Sequence, residues 1–172
     1  DAWIITATAK LAGAAGTNWA SDLALFNHGN QPSLHIPWLF NFSGEPHRTQ
    51  FWTRSNCNEF YGTDGIHGYG YGQDEDQGQL GAWFVMASIG LFDVKGLTAP
   101  TPSFQLGSPA FDRITINLDP DYYTGEEIVI DVKNNAPDHY YLRSVKMNEK
   151  PLNGIDIPFH TLMQGAHLEI EK

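Results

Sequence analysis

Gly68-Tyr69-Gly70-Tyr71-Gly72-Gln73-Asp74-Glu75-Asp76-Gln77-Gly78-Gln79 runs without interruption into the apolar stretch Leu80 to Leu91. Asp74, Glu75 and Asp76 are consecutive. The glycines before them let the backbone approach a ligand, and the run after them predicts a helix from Gln79 to Gly90 that holds them rigidly. Acids at a helix N-terminus are commonly no more than a match to the macrodipole. Against that reading stand Tyr69, Tyr71 and Trp83, because sugars are held by aromatic faces combined with convergent polar groups. In an extended stretch Asp74 and Asp76 point one way and Glu75 the other, so two carboxylates can share a proton or position a water. The expectation is a catalytic or metal-binding loop on the lip of a helical scaffold.

Composition sets the outer limits. With 172 residues, 41% of them hydrophobic, and a mean hydropathy of -0.34, the chain is long enough for one core or two small ones. Twenty acids against ten bases give a net charge of -10, which argues against binding a phosphate backbone and suits neutral ligands or divalent cations. Nucleic acid is therefore not an expected partner. The single Cys57 excludes an intrachain disulfide and a cysteine-based zinc site. No apolar run approaches the roughly 18 residues of a membrane span, and no basic leader with a small-residue cleavage site opens the chain. Any export signal is expected to have been removed or to lie upstream.

Towards the N-terminus, Ala2 to Ala15 is rich in Ala, Leu and Ile and predicts a helix stopped by Gly13 and Gly16. It carries only Asp1 and Lys10, so burial on most sides and neighbours to supply it are expected. Asp22 to Asn27 gives a weaker helical or turn signal. His28-Gly29-Asn30-Gln31-Pro32-Ser33-Leu34-His35-Ile36-Pro37-Trp38-Leu39-Phe40 reads as a loop turning into a helix. Pro32 suits its first turn, and Pro37 kinks or shortens it. Asn30 and Gln31 offer side-chain oxygens that could serve a hard cation such as calcium, although Asn30 as a plain helix N-cap is the preferred reading of these residues alone. Asn41 to Pro46 follows as a turn. His47 to Phe60 is an amphipathic helix with Phe51, Trp52 and Phe60 towards the core and Arg48 and Arg54 on its wetter side. Cys57 fills space there. Tyr61 to Gly72 is a glycine- and tyrosine-rich loop.

Beyond the acidic loop, Asp93 to Pro102 reads as a linker or crossing loop. Phe104 to Leu106, Arg113 to Leu118, Ile128 to Val132 and Tyr140 to Met147 are strand-like, and turn chemistry separates them. A short helix near Phe159 to Met163 ends at Gly165, and His167 to Ile170 makes a final strand. His139, His160 and His167 lack ligand spacing and are expected at the surface or in packing. The fold class is α+β: a helical segment over 1–95, then a small antiparallel β layer over 96–172.

Four stretches together resemble one family. They are His28 to Ile36, Gly72 to Phe84, Gly107-Ser108-Pro109-Ala110-Phe111 and Val132-Lys133-Asn134-Asn135, in that order. They are similar to the C-terminal part of the calcium-dependent, exo-acting α-mannosidases of glycoside hydrolase family 92. The likeness runs from about Asn27 to the end. Family members are several times longer, with an N-terminal β-sandwich and an (α/α)6 barrel, so this chain looks like the last part of the barrel plus a trailing β layer.

The resemblance implies roles residue by residue. Asp76 and Asp74 match the family's acidic pair, in which a carboxylate is the general base on water in an inverting displacement, with Asp76 the first choice. Tyr71 and Trp83, flanking the acidic run, are the substrate-binding candidates on the aromatic-face argument given above, not on the resemblance. The Ca2+ ligands fall on the carbonyls of His28 and Asn30 and on Gln31, where Gln31 replaces the family's glutamate and should weaken calcium. Inverting glycosidases need acid and base roughly 6.5 to 9.5 Å apart. The family's acid is a glutamate upstream of these residues, and Glu45 and Glu59 lie in a turn and on a helix without its context. Ala24 and Leu25 stand about where α-1,2-cutting members carry a His-Glu pair. The implied partners are α-mannoside glycans and the remainder of the same enzyme, and the implied location is secreted, periplasmic or cell-surface. A non-catalytic, calcium-dependent glycan-binding module is the alternative.

Overall fold

The computed structural model describes residues 28–29, 31–61 and 78–172, the side chain of Glu59 excepted. The expected helix Ala2 to Ala15, the signal at Asp22 to Asn27, Asn30 and the loop at 62–77 with its acidic run lie outside them. The chain divides into two compact units. The described part of the first comprises residues 28–29, 31–36, 55–61 and 78–85, and the second is Pro37–Arg54 with Met86–Lys172. The class is α+β, as expected. No helix among the described residues is long and apolar enough to cross a membrane.

Helix α1, Pro46–Phe60, and helix α2, Gln79–Ile89, stand where the sequence places them. The segment before α1 differs. It forms two 3-10 helices, Gln31–Ser33 and Ile36–Ser43, in place of one helix and a turn. Pro37 is the second residue of the longer one, where its missing N–H costs nothing, so it starts that helix and does not kink it. The helix therefore continues through Asn41 and ends before Gly44, at φ 81.

α1 buries polar residues beside its apolar ones. Thr49, Gln50, Thr53, Arg54 and Asn56 are buried together with Trp52, Cys57 and Phe60. Arg54, expected on the wetter side, is only 6% exposed because its guanidinium donates to the carbonyl of Pro109 at 3.1 Å. Gln50 accepts the N–H of Leu142 at 3.1 Å, and the Thr53 hydroxyl donates to the carbonyl of Thr49 at 2.8 Å. A buried polar group without such a partner costs about 1–3 kcal/mol, so these bonds offset the burial of Gln50, Thr53 and the outer nitrogen of Arg54, whereas Thr49 Oγ1, Arg54 Nε and Asn56 Oδ1 make no hydrogen bond among the described residues.

The second unit carries two sheets among the described residues. Strands β1 (Leu91–Phe92), β2 (Ser103–Leu106) and β7 (Asp156–Pro158) form one, in the order β1-β2-β7. The other is built from β3 (Arg113–Asn117), β4 (Glu127–Lys133), β5 (Ser144–Met147), β6 (Lys150–Pro151) and β8 (Ala166–Glu171), in the order β3-β4-β8-β5-β6. A short helix α3, Phe159–Leu162, precedes β8. The expected antiparallel layer is corrected in one respect: β4 and β8 run parallel, from Ile128 opposite Ala166 to Lys133 opposite Glu171. The segment 134–165 is long enough for the crossover such a pair requires. The strand expected over Tyr140 to Met147 is confined to Ser144–Met147. β3 alternates exposed Arg113, Thr115 and Asn117 with half-buried isoleucines, whereas β4, flanked on both sides, buries Ile128, Val129, Ile130 and Val132. His139, His160 and His167 are all exposed.

Gly90 closes α2 at φ 84 and lies against the third motif. Its carbonyl accepts the N–H of Gly107 at 2.8 Å, and the Ser88 carbonyl accepts that of Ala110 at 2.8 Å. A Cβ on Gly90 would meet the ring and nitrogen of Pro109 at 2.7 Å, whereas one on Gly44 would meet nothing within 4 Å. Both positions carry left-handed strain, but only Gly90 adds a clash with backbone. Gly44→Ala should cost about 1 kcal/mol and Gly90→Ala roughly 2–4 kcal/mol. Urea unfolding midpoints measure both, and equal losses would show that the approach of Pro109 imposes no constraint.

Candidate functional site

The four sequence motifs meet in two pairs, each pair within one unit. In the first unit the centre is His28, whose side chain is 0% exposed. Its ring stacks on Phe60, with centroids 5.5 Å apart, and meets Trp83 edge-on at 4.2 Å and Tyr61 edge-on at 5.6 Å. Nε2 is 2.8 Å from the Tyr61 hydroxyl, and Nδ1 lies 3.5 Å from Nδ2 of Asn56. The indole N–H of Trp83 donates to the carbonyl of Leu34 at 2.8 Å. Trp83 thus ties the motif that contains the acidic run to the motif that contains the oxygen-donor turn.

The local sequence explains the grip. Asn56 and Phe60 are four apart on α1 and so face the same way, and Tyr61 follows directly. On the other side Gln31–Ser33 makes a single 3-10 turn, closed by the Leu34 N–H on the Gln31 carbonyl at 3.1 Å. Burial pushes the His28 imidazole down to about 3, so at neutral pH it is uncharged. It makes no cationic partner for an acid.

The second pair of motifs meets at Pro109. Its carbonyl accepts from Lys172 Nζ at 2.6 Å and from Arg54 at 3.1 Å. Lys172 Nζ also donates to Asn135 Oδ1 at 2.8 Å, and the Asn135 amide donates to the Ala110 carbonyl and to Asp112, at 3.1 and 3.0 Å. Burial first, then the charge of Arg54, push the Lys172 amine down to about 8, while Asp112 pulls the other way. This is a clamp that fixes two loops.

Of the residues singled out from sequence, His28 and Trp83 are in contact. Gln31 opens the adjoining 3-10 turn and is half-buried. Asn30, Tyr71, Asp74 and Asp76 lie outside the described residues. Trp83 is 2% exposed, so its ring bears on His28 and Tyr61 and offers no open face. Glu45 is paired with Arg48 at 2.8 Å. Among the described residues no three His, Cys, Asp or Glu cluster as a metal site. Nε2 of His28 is engaged by the Tyr61 hydroxyl; a main-chain carbonyl and an amide oxygen such as those of His28 and Gln31 are donors of the kind that suit a hard cation and not a soft one. Sequence reasoning missed Asn56, Tyr61, Arg54 and Lys172. The i, i+4 spacing of Asn56 and Phe60 was a signal of a shared face, but nothing in it points to His28.

Residues 6–171 match the glycosyl hydrolase family 92 catalytic domain. The chain belongs to that family. Among solved structures it is similar to the family GH92 α-mannosidase BT3965 from Bacteroides thetaiotaomicron, at 26% identity and a TM-score of 0.75, over 87% of this chain and 19% of that one. It is also similar to the GH92 glycosyl hydrolase ccman5, at 25% identity and TM-score 0.70, covering 87% of this chain and 22% of that one. A third is the inverting GH92 mannosidase BT2199 from Bacteroides thetaiotaomicron VPI-5482, at 30% identity and TM-score 0.69, covering 84% and 18%. The chain thus spans about a fifth of the length of these solved structures. No curated protein matches it significantly.

The burial of His28 has a consequence for stability. Above pH 6.5 the imidazole is neutral in folded and unfolded chains alike. Below it the unfolded chain takes up a proton that the folded one refuses until about pH 3. Stability should therefore fall as pH drops through this window, by about 1.4 kcal/mol per pH unit from this group. Urea unfolding in chelator between pH 6 and 4 should show this extra slope in the wild type and not in His28→Phe. Identical slopes would mean that the imidazole is protonated in place.

Proposed function

We infer that this protein is the part of a calcium-dependent exo-α-mannosidase that carries the general base and part of the calcium site, and that it acts on terminal α-mannosides with inversion. One observation carries this reading: Trp83 holds Leu34 and packs on His28, which makes neighbours of the motif with the acidic pair and the motif with the oxygen donors. On this reading residues 1–95 are the end of an (α/α)6 barrel and 96–172 a trailing β layer.

In the reaction, the Asp76 carboxylate, with Asp74 beside it, takes a proton from water as the water oxygen bonds to the anomeric carbon. The glycosidic C–O bond breaks on the opposite face, and an acid gives its proton to the leaving oxygen. That acid is assigned to a glutamate in the remainder of the enzyme, upstream of these residues. Tyr71 supplies an aromatic face to the sugar, and Trp83 acts from behind by fixing the 28–34 turn. The carbonyls of His28 and Asn30 and the amide of Gln31 would hold Ca2+. When bound, that ion supplies positive charge to neighbouring sugar hydroxyls. A secreted, periplasmic or cell-surface location fits such a substrate.

The test is release of mannose from a simple α-mannoside, with the anomer of the first product read by NMR. Chelation and Asp76→Asn should each lower turnover by two or more orders of magnitude, and the product should be the β-anomer. Specific sugar binding with no turnover when the upstream part is present would favour the non-catalytic module. Replacing Gln31 by glutamate should tighten calcium on the order of tenfold by restoring an anionic ligand, as read by calorimetric titration. Unchanged affinity would remove Gln31 from the ligand set.

A further inference from the structure

The hairpin between β3 and β4 is longer than its closure needs. Its ladder ends where the Leu118 N–H donates to the Glu126 carbonyl at 2.8 Å, and Asp119 to Gly125 loops beyond that bond, where about two to five residues suffice. The surplus is ordered. The Asp119 side chain accepts the N–H of Asp121 at 2.9 Å, and its carbonyl accepts those of Tyr122 and Tyr123 at 3.1 and 2.9 Å. Gly125 donates to the carbonyl of Met163 at 3.1 Å, which ties the far side of the loop to the end of α3. On this fixed backbone Tyr122 is 80% exposed and Tyr123 is exposed beside it, with ring centroids 6.5 Å apart and planes tilted by 52°. A ring as exposed as that of Tyr122 adds little to the packing of the second unit. Two adjacent aromatic side chains held in water by a hydrogen-bonded turn are a surface prepared for a ligand.

We propose that Tyr122 and Tyr123 form an accessory platform for a neutral oligosaccharide, separate from the residues that the mannosidase reading uses. The surroundings select the ligand class. From Ile114 to Val132 the chain has no Lys or Arg, and the loop and its base expose the carboxylates of Asp119, Asp121, Glu126 and Glu127. That sign opposes nucleic acid, phosphate and anionic lipid, and leaves ligands that are neutral or cationic. Sugar rings lay their C–H faces on aromatic rings, and their hydroxyls donate to carboxylates. Two faces set at an angle suit successive units of a twisted oligosaccharide better than one flat ring system. An organic cation could use the same faces, but membership of a glycoside hydrolase family favours the sugar. The proposal rests on that membership and not on the calcium site, so either can fail alone.

The test is fluorine NMR of protein carrying fluorotyrosine at all seven tyrosines, titrated with α-linked mannotriose in chelator. Chelator takes the calcium-dependent contacts of the proposed function out of the measurement. The Tyr122 and Tyr123 signals are assigned from Tyr122→Phe and Tyr123→Phe. Both should shift together, with a Kd on the order of 1 mM. Tyr122→Ala, read through the remaining Tyr123 signal, should weaken binding about tenfold. Its urea midpoint should stay at the wild-type value, since so exposed a side chain carries little stability. Tyr141→Ala, which removes another exposed tyrosine of the second unit, should leave the affinity unchanged. A similar response to maltotriose supports the same platform with no preference among sugars. Still signals at about ten times the expected Kd overturn the proposal, as does equal loss in Tyr141→Ala. A response to spermine stronger than to either sugar also overturns it and assigns the faces to an organic cation. None of these results bears on turnover by the proposed acidic pair.

Discussion

Six residues of β4 pair in parallel with six of β8, and the remaining strands of the larger sheet take their places from this pair. β3 adds to the free side of β4, and β5 to the free side of β8. β4 lies inside the sheet with successive residues Ile128, Val129 and Ile130 all buried, so both its faces are covered there and the run reads as continuously apolar. The register begins where Gly125, just before β4, faces Gly165, just before β8. A Cβ on Gly125 would lie 2.1 Å from the nitrogen of Gly165, so the two strands can enter side by side only with no side chain there. Parallel pairing obliges a crossover after Lys133, and before β8 the chain contributes β5 and β6 to the same sheet and β7 to the smaller one.

The second constraint is the polar face of α1. A helix that buries Gln50, Thr53 and Arg54 gains little net energy from each hydrogen bond, about 0.5–1.5 kcal/mol, but loses more if a partner is missing. Such a face stabilises one arrangement of loops over all others. Arg54 and Lys172 share the single carbonyl of Pro109. Burial and, after it, the charge of Arg54 make the Lys172 amine hold its proton less tightly than usual. In return, the third and fourth motifs are joined through Pro109, Ala110 and Asn135.

How much of this was legible follows from the range of the forces involved. α1, α2, β2, β3, β4 and α3 rest on local periodicity and turn chemistry, and the sequence locates them to within a residue or two. The parallel hand of β8 was not legible, because Asn134-Asn135 and Asn148-Glu149 read as hairpin turns whether or not the strands they separate pair with each other. The burial of Arg54 was hidden for a related reason. An arginine on a helix looks exposed until the carbonyl that it needs, 55 positions away, is known. Motif order was enough to indicate the family and the candidate residues, but not that Trp83 would serve His28 and Leu34 from a buried position. For the site, Tyr61 looked like the start of a loop because a hydroxyl's partner 33 residues back leaves no trace in spacing.

The depressed pKa of His28 bears on whether its turn can serve a cation. A protonated imidazole in the same residue as a ligating carbonyl would oppose a divalent ion by several kcal/mol even at an effective dielectric constant of about 20. Near the ordinary histidine pKa, that repulsion would switch on in mildly acidic solution. Burial under Phe60 and Trp83 moves the titration to about 3, and so separates the packing role of the ring from the charge of the site. On the proposed calcium reading, Gln31 pulls in the opposite sense, since a neutral amide attracts the ion less than a carboxylate would. On that reading a weakly attractive set of neutral oxygens gains from having its nearest side chain held uncharged, and the aromatic enclosure of His28 keeps the imidazole neutral down to about pH 3.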